Sequence, residues 1–120
     1  MIKSICFDLD DTICFPNHGE KDTYKKYGLA KPNDQVIAQI RRLKRDLGFH
    51  IVLLSARRML TFGGNIDKIK ADVEEITRSW LNEHDVPFDE LVFGKPYVTT
   101  YYVDDKAMDL EQFDTWMNSL

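Results

Sequence analysis

The chain has 120 residues, 43% of them hydrophobic and 30% charged, with a formal net charge of −4. That length suits one domain with a single core, and that composition suits an ordinary soluble globular protein. The acidic balance argues against a general nucleic-acid footprint, and neither a bilayer-spanning apolar run nor a basic segment leading a long apolar core is present. A cytoplasmic location with no membrane partner is the expectation. Cys6 and Cys14 are expected to be reduced thiols. His18, His50 and His84 show no zinc-ligand spacing.

Lys3 to Asp8 reads as the first strand, with Ile5 and Phe7 apolar, and it runs into Phe7-Asp8-Leu9-Asp10-Asp11-Thr12. Alternate side chains of a strand share a face, so Asp8 and Asp10 point the same way beyond its carboxyl end. Two carboxylates that close repel, and they call for a cation or a shared proton. That is how a Mg²⁺ site begins, or a nucleophile beside a proton donor. An Asp-rich turn bonded to its own backbone is the plainer alternative. Residues 13–32 hold glycines, prolines and many charges without a sustained period. They read as a flap beside the strand end, either a hairpin or a plain surface loop.

A helix follows, capped by Asn33 or Asp34, with Val36, Ile37, Ile40, Leu43 and Leu47 at helical spacing and Gly48 at the stop. Arg41, Arg42, Lys44 and Arg45 interleave with that stripe and read as a solvated face, a nucleic-acid patch being the rival. Phe49 to Leu54 is too short for a helix of its own and reads as a buried strand, of the kind found in parallel sheets covered on both faces. It ends at Ser55-Ala56-Arg57-Arg58. After Gly63-Gly64, Asn65 can cap a second helix whose Ile66, Ile69, Val73, Ile76 and Trp80 mark one face, with Leu81 beside it. Leu91 to Phe93 reads as a third strand ending at Gly94-Lys95-Pro96, and Tyr101 to Val103 as a fourth ending at Asp104-Asp105. From Ala107 onward, Leu110, Phe113, Met117 and Leu120 mark a closing helix, with Trp116 at its margin.

Strands alternating with helices imply an α/β fold, a Rossmann-like three-layer sandwich with a mainly parallel sheet. Ligands of such sheets bind beyond the carboxyl ends of strands. The unusual polar residues all follow strands: Asp8 and Asp10, Ser55, Lys95, and Asp104 with Asp105. Carboxylates there can hold Mg²⁺, a hard cation that keeps several waters, while a lysine and a hydroxyl grip a phosphate. An aspartate attacking a phosphate dianion meets repulsion of roughly 4 kcal/mol per charge pair at close range. Mg²⁺ and Lys95 are the natural offsets.

Asp8-Leu9-Asp10-Asp11-Thr12, Ser55, Lys95 and Asp104-Asp105 resemble, in order and spacing, the four motifs of the haloacid dehalogenase superfamily of phosphohydrolases. The resemblance implies Asp8 as nucleophile and metal ligand, and Asp10 as general acid/base whose backbone carbonyl also meets Mg²⁺. It further implies Thr12 steadying Asp10, Ser55 and Lys95 binding the phosphoryl group, and Asp104 ligating Mg²⁺ with Asp105 beside it. Within the superfamily, Ser55-Ala56-Arg57, the Gly64 to Ile69 and Trp80 to Glu90 stretches, Phe93 to Tyr97 and Tyr102 to Ala107 are similar to the small capsule-biosynthesis phosphatases. One departure is Asp11, where the common motif has Gly. The gaps from Thr12 to Ser55 and from Ser55 to Lys95 leave no room for a cap domain. Substrate choice then falls to the flap, to the loop after Ser55, or to a neighbouring subunit in a homo-oligomer. Arg57, Asn65 and Lys68 are candidate substrate contacts, since a helix N-terminus favours anions; a cap role for Asn65 and a plain surface charge for Lys68 are the alternatives.

The expected function is therefore a Mg²⁺-dependent phosphomonoesterase acting through an aspartyl-phosphate at Asp8, on a sugar phosphate of capsule or polysaccharide biosynthesis. A polynucleotide end phosphatase is the rival within enzymes. A phospho-accepting receiver domain should carry an acceptor Asp where this chain has Ser55. An inactive relative kept as a binding module should have lost a key residue, and none is lost.

Overall fold

Alternation along Ser4–Asp8 (β1), His50–Ser55 (β4) and Glu90–Phe93 (β5) builds the sheet, in the order β1-β4-β5 with both pairings parallel. The structure is a computed structural model and describes residues 2–120. The register sets Phe7 beside Leu53 and Leu53 beside Leu91, so Ile5, Phe7, Ile51, Leu53, Leu91 and Phe93 share one face. Phe7, Ile51, Leu53 and Phe93 on that face are buried. Cys6, Val52, Leu54 and Val92 point to the other face, and none of them is buried. The described sheet is thus closed on one side, where its strand sequences call for cover on both. The architecture is an α/β domain with a small parallel sheet.

Helices fill the closed face. Asp34–Arg41 (α1) begins where the Asn33 side chain accepts a hydrogen bond from the Val36 N–H. It runs on as a π-helical turn, Arg42–Asp46, and Gly48 stops it at a positive φ of 71°. Ile66–Glu83 (α2) is capped by Asn65, whose side chain accepts from the Lys68 N–H. Leu110–Asn118 (α3) starts with a capping box between Asp109 and Gln112. Val36, Ile37, Ile40, Leu43, Trp80, Leu81, Phe113 and Met117 meet Phe7, Ile51 and Leu53 in one core. The Phe113 ring stands edge-on to Phe7, and Trp116 edge-on to Phe49. Leu47 and Leu120, the outer members of their stripes, stay exposed. No helix of the described chain is long and apolar enough to cross a membrane.

Residues 13–32, read from sequence as a flap, are closed at their ends by a short hairpin pairing. Cys14–Phe15 (β2) and Lys31–Pro32 (β3) pair antiparallel, with a π-helical turn, Tyr24–Gly28, between them. The segment is pinned rather than loose: Tyr27 is buried, the Trp80 indole donates to the Ala30 carbonyl, and Arg58 donates to the Thr23 hydroxyl.

The fourth strand expected at Tyr101 to Val103 does not form. Residues 94–109 carry no strand, and Val103 is 98% exposed. Local contacts hold the stretch back: the Tyr102 hydroxyl donates to the Pro96 carbonyl, and the Lys95 ammonium sits over the Tyr102 ring at 4.3 Å. Asp104 and Asp105 therefore do not stand at a strand end.

The basic residues after Ile40 have partners inside the fold. Arg41 donates to the His84 and Asp85 carbonyls past the end of α2, and Arg42 to the Met117 and Leu120 carbonyls at the end of α3. There they meet the negative ends of helix dipoles. Arg45 pairs with Asp85, and Lys44 with Asp89 at 2.7 Å. Lys44 first, and the Ile51 N–H second, hold the Asp89 carboxyl below its ordinary 3.8. A depressed carboxyl contributes stability that is present above the ordinary value and is lost as pH falls through the folded one. Acid unfolding of Asp89→Asn is accordingly expected to lose part of the pH dependence that the wild type shows below pH 3.8. Chemical-denaturant midpoints collected across that range check it.

Candidate active site

The carboxyl ends of the three parallel strands bring Asp8, Ser55 and Lys95 to one rim. Lys95 arrives there because the chain turns at Gly94: the N–H groups of Gly94 and Lys95 both donate to the Ser55 carbonyl, at 3.1 and 3.0 Å. Gly94 has φ 103°, and a Cβ there would lie 2.6 Å from Ile66 Cδ1 in the first turn of α2. The positive φ is what favours glycine here, since the Ile66 methyl could give way. The Lys95 ammonium stands 3.2 Å from Asp8 Oδ1, and the Thr12 hydroxyl donates to Asp8 Oδ2 at 3.3 Å. Thr12 thus steadies Asp8, where the motif assigned it to Asp10. Asp8 retains one third of its side-chain exposure, 34%. Ser55 is buried, and its hydroxyl oxygen accepts from the Arg57 N–H at 3.1 Å.

The turn after β1 is held by the Leu9 carbonyl, which accepts from the N–H groups of Thr12, Ile13 and Cys14. Asp11 sits in it at φ 64°. That left-handed conformation explains why glycine suits the position, and aspartate is among the few other residues that tolerate it. Its carboxylate lies 3.0 Å from His18 Nε2 of the flap.

Arg57, a candidate substrate contact, turns inward and is buried. Its Nε lies 3.1 and 3.0 Å from the two carboxylate oxygens of Asp10, and its Nη2 donates to Oδ1 at 2.8 Å. Nη1 donates to the Thr77 hydroxyl at 2.8 Å, and the guanidinium lies over the Tyr27 ring at 4.3 Å. Burial opposes the Arg57 charge, but the bonds and charge of Asp10 more than offset it and hold its pKa above the ordinary value. Burial first, then the Asp10 charge, pushes up the Tyr27 hydroxyl. The same two causes push up the Cys14 thiol, whose Sγ is 3.3 Å from Asp10 Oδ1. Cys6 is exposed on the open sheet face. A thiol reagent at mildly alkaline pH is therefore expected to label Cys6 in the folded protein and to reach Cys14 only after denaturation, which mass spectrometry of the labelled peptides reads directly.

Thr77, Tyr27 and Cys14 were not among the site residues that the sequence suggests. Thr77 left a signal, a polar residue on the apolar face of α2 between Val73 and Trp80. Asn65 serves as the α2 cap, and Lys68 lies exposed one turn on.

Asp104 does not join Asp8 and Asp10. Its carboxylate accepts from the Lys106 N–H at 2.8 Å, the main reason its pKa is lowered, in an exposed turn that also holds Asp105. Among the described residues no three acidic, histidine or cysteine side chains gather as a metal group. Of the expected Mg²⁺ set, Asp8 offers a partly exposed carboxylate, Asp10 has its carboxylate occupied by Arg57, and Asp104 stands apart. The three-carboxylate set does not fit the arrangement as it stands. Mg²⁺ can be held through one or two carboxylates with water completing its shell, and Asp8 satisfies that lesser demand.

The fold and rim define a parallel α/β domain in which the Asp8 carboxylate meets the Lys95 ammonium and the Thr12 hydroxyl beyond the strands. Over 98% of its length the chain is similar, at 34% identity and a TM-score of 0.76, to the crystal structure of a target protein from Vibrio cholerae, 98% of which is covered in turn. The chain belongs to the family of that Vibrio cholerae protein. No family model matches the chain, and no curated protein does.

Proposed function

We propose that this protein is a phosphomonoesterase of the haloacid dehalogenase type, acting through an aspartyl-phosphate at Asp8 and dependent on Mg²⁺. The observation that carries the reading is the Asp8 carboxylate at the end of β1, flanked by Lys95 at 3.2 Å and Thr12 at 3.3 Å. Lys95 offsets the repulsion between that carboxylate and an incoming phosphate; the Ser55 hydroxyl, which the resemblance assigns to the phosphoryl group, lies buried at the end of β4. An Asp8 oxygen forms a bond to phosphorus as the ester oxygen leaves with a proton from Asp10. Water then attacks phosphorus, gives a proton to Asp10, and releases phosphate with Asp8 restored. Mg²⁺, bound through Asp8, would supply charge neutralisation on the phosphoryl oxygens.

The substrate we propose is a sugar phosphate of capsule or polysaccharide synthesis, handled in the cytoplasm. Support for it is the resemblance of the Ser55-Ala56-Arg57, Trp80 to Glu90 and Phe93 to Tyr97 stretches to those of small capsule-biosynthesis phosphatases. A polynucleotide end phosphatase is disfavoured by the net charge of −4, and by the engagement of Arg41, Arg42, Lys44 and Arg45 within the fold. Release of phosphate from 4-nitrophenyl phosphate, with Mg²⁺ and with chelator, tests the chemistry. Metal-dependent release that single-stranded DNA does not compete away is the expected result; no release under either condition, there or across a panel of sugar phosphates, would sink the reading.

A further inference from the structure

Within the fork that Arg57 closes on Asp10, the two carboxylate oxygens are not equivalent. Oδ1 faces Nε at 3.1 Å, Nη2 at 2.8 Å and the Cys14 thiol at 3.3 Å, whereas Oδ2 faces Nε alone, at 3.0 Å. Arg57 is itself fixed on three sides, by Thr77 at Nη1, by the Tyr27 ring under its plane, and by the bond from its own N–H to Ser55. Its side chain is 1% exposed, whereas that of Asp10 is 23% exposed. The guanidinium therefore cannot reach a bound substrate, while the carboxylate that it holds can. A planar fork with two donors fixes a carboxylate in orientation as well as in place, which an ammonium does not.

We infer that Arg57 is a positioning residue for the acid/base step: with Cys14 it pins Oδ1 of Asp10 and leaves Oδ2 as the atom that passes the proton to the leaving oxygen. The inference rests on the phosphomonoesterase reading and adds to it a residue outside the phosphate contacts. It also ties the flap to the chemistry, because Tyr27 and Cys14 belong to the flap and touch the same fork.

A misdirected proton donor costs most when the leaving group is a poor one, because a good one departs without protonation. A substrate-binding or purely structural arginine has no such dependence. The test is kcat/KM for Arg57→Lys on a series of substituted phenyl phosphates, alongside wild type and Asp8→Asn, with thermal melts to verify folding. Arg57→Lys keeps the charge and loses the fork. It is expected to lose about 100-fold on phenyl phosphate and less than about 10-fold on 4-nitrophenyl phosphate, general acid catalysis as a whole being worth roughly 10²- to 10⁴-fold. Guanidinium ion at millimolar concentration should partly restore Arg57→Ala on the poorer leaving groups, where sodium at equal ionic strength does not. Equal losses across the series, or a rise in KM alone, would overturn the inference while leaving the enzyme reading intact. Wild type without Asp8-dependent release would overturn the reading, and the inference with it.

Discussion

Asp8→Asn is expected to abolish phosphate release, with a loss of about 10³-fold or more, the scale on which enzymes lose activity with their nucleophile. Asparagine matches the shape of the side chain and keeps an oxygen toward Thr12, yet it lacks the negative charge from which the bond to phosphorus is made. The Lys95–Asp8 pair lies at a rim where both side chains keep some exposure, 17% and 34%. Pairs in such partly wet settings contribute about 1 kcal/mol or less. The variant should therefore unfold within about 1 kcal/mol of wild type. Activity and stability then separate at this position: release measured by phosphate assay disappears, while the urea midpoint barely moves. Release that persists in the folded variant would remove Asp8 from the chemistry and transfer the search to another group on the rim.

That rim was legible because strand ends are. Apolar runs that stop at Asp8, Ser55 and Lys95 announce both the strands and the residues beyond them. Asn33, Asn65 and Gly48 likewise announce the helix limits, since each supplies a backbone need at a fixed offset. Tyr101 to Val103 shows where that logic stops. Two tyrosines and a valine fit a pleated surface, but strand preference is mostly a matter of what lies alongside. Here Tyr102 finds Lys95 and the Pro96 carbonyl instead of a neighbouring strand. The inward turn of Arg57 is hidden from the sequence for a different reason. Two adjacent arginines after a strand look alike in sequence, and the partner that turns Arg57 inward, Asp10, lies far away along the chain. Arg58 differs in backbone as well as in contacts: it adopts φ 61°, and its Nε lies 2.9 Å from the Asp72 carboxylate. Nothing local to Arg57-Arg58 specifies that division.

The second ion pair at the rim behaves oppositely to the first. Removing one member of a buried pair costs about 3–5 kcal/mol, because the other is left charged without compensation. The two members here are unequally buried, 1% exposed for the Arg57 side chain and 23% for Asp10. Asp10→Ala strands a guanidinium that water cannot reach, although Thr77 still accepts from Nη1. Arg57→Ala leaves a carboxylate that can hydrate, but it also removes the group packed on the Tyr27 ring and opens a cavity beneath the flap. Both single variants are expected to fall in the range of about 3–5 kcal/mol, with Asp10→Ala the larger electrostatic loss. The double variant should cost clearly less than the sum, since neither charge then remains to be stranded. Urea unfolding of the four proteins closes the cycle. A coupling near zero would mean that the fork contributes nothing beyond its separate parts. A large coupling would mark the pair as the joint that fixes the flap to the sheet, where Asp8→Asn touches the chemistry alone.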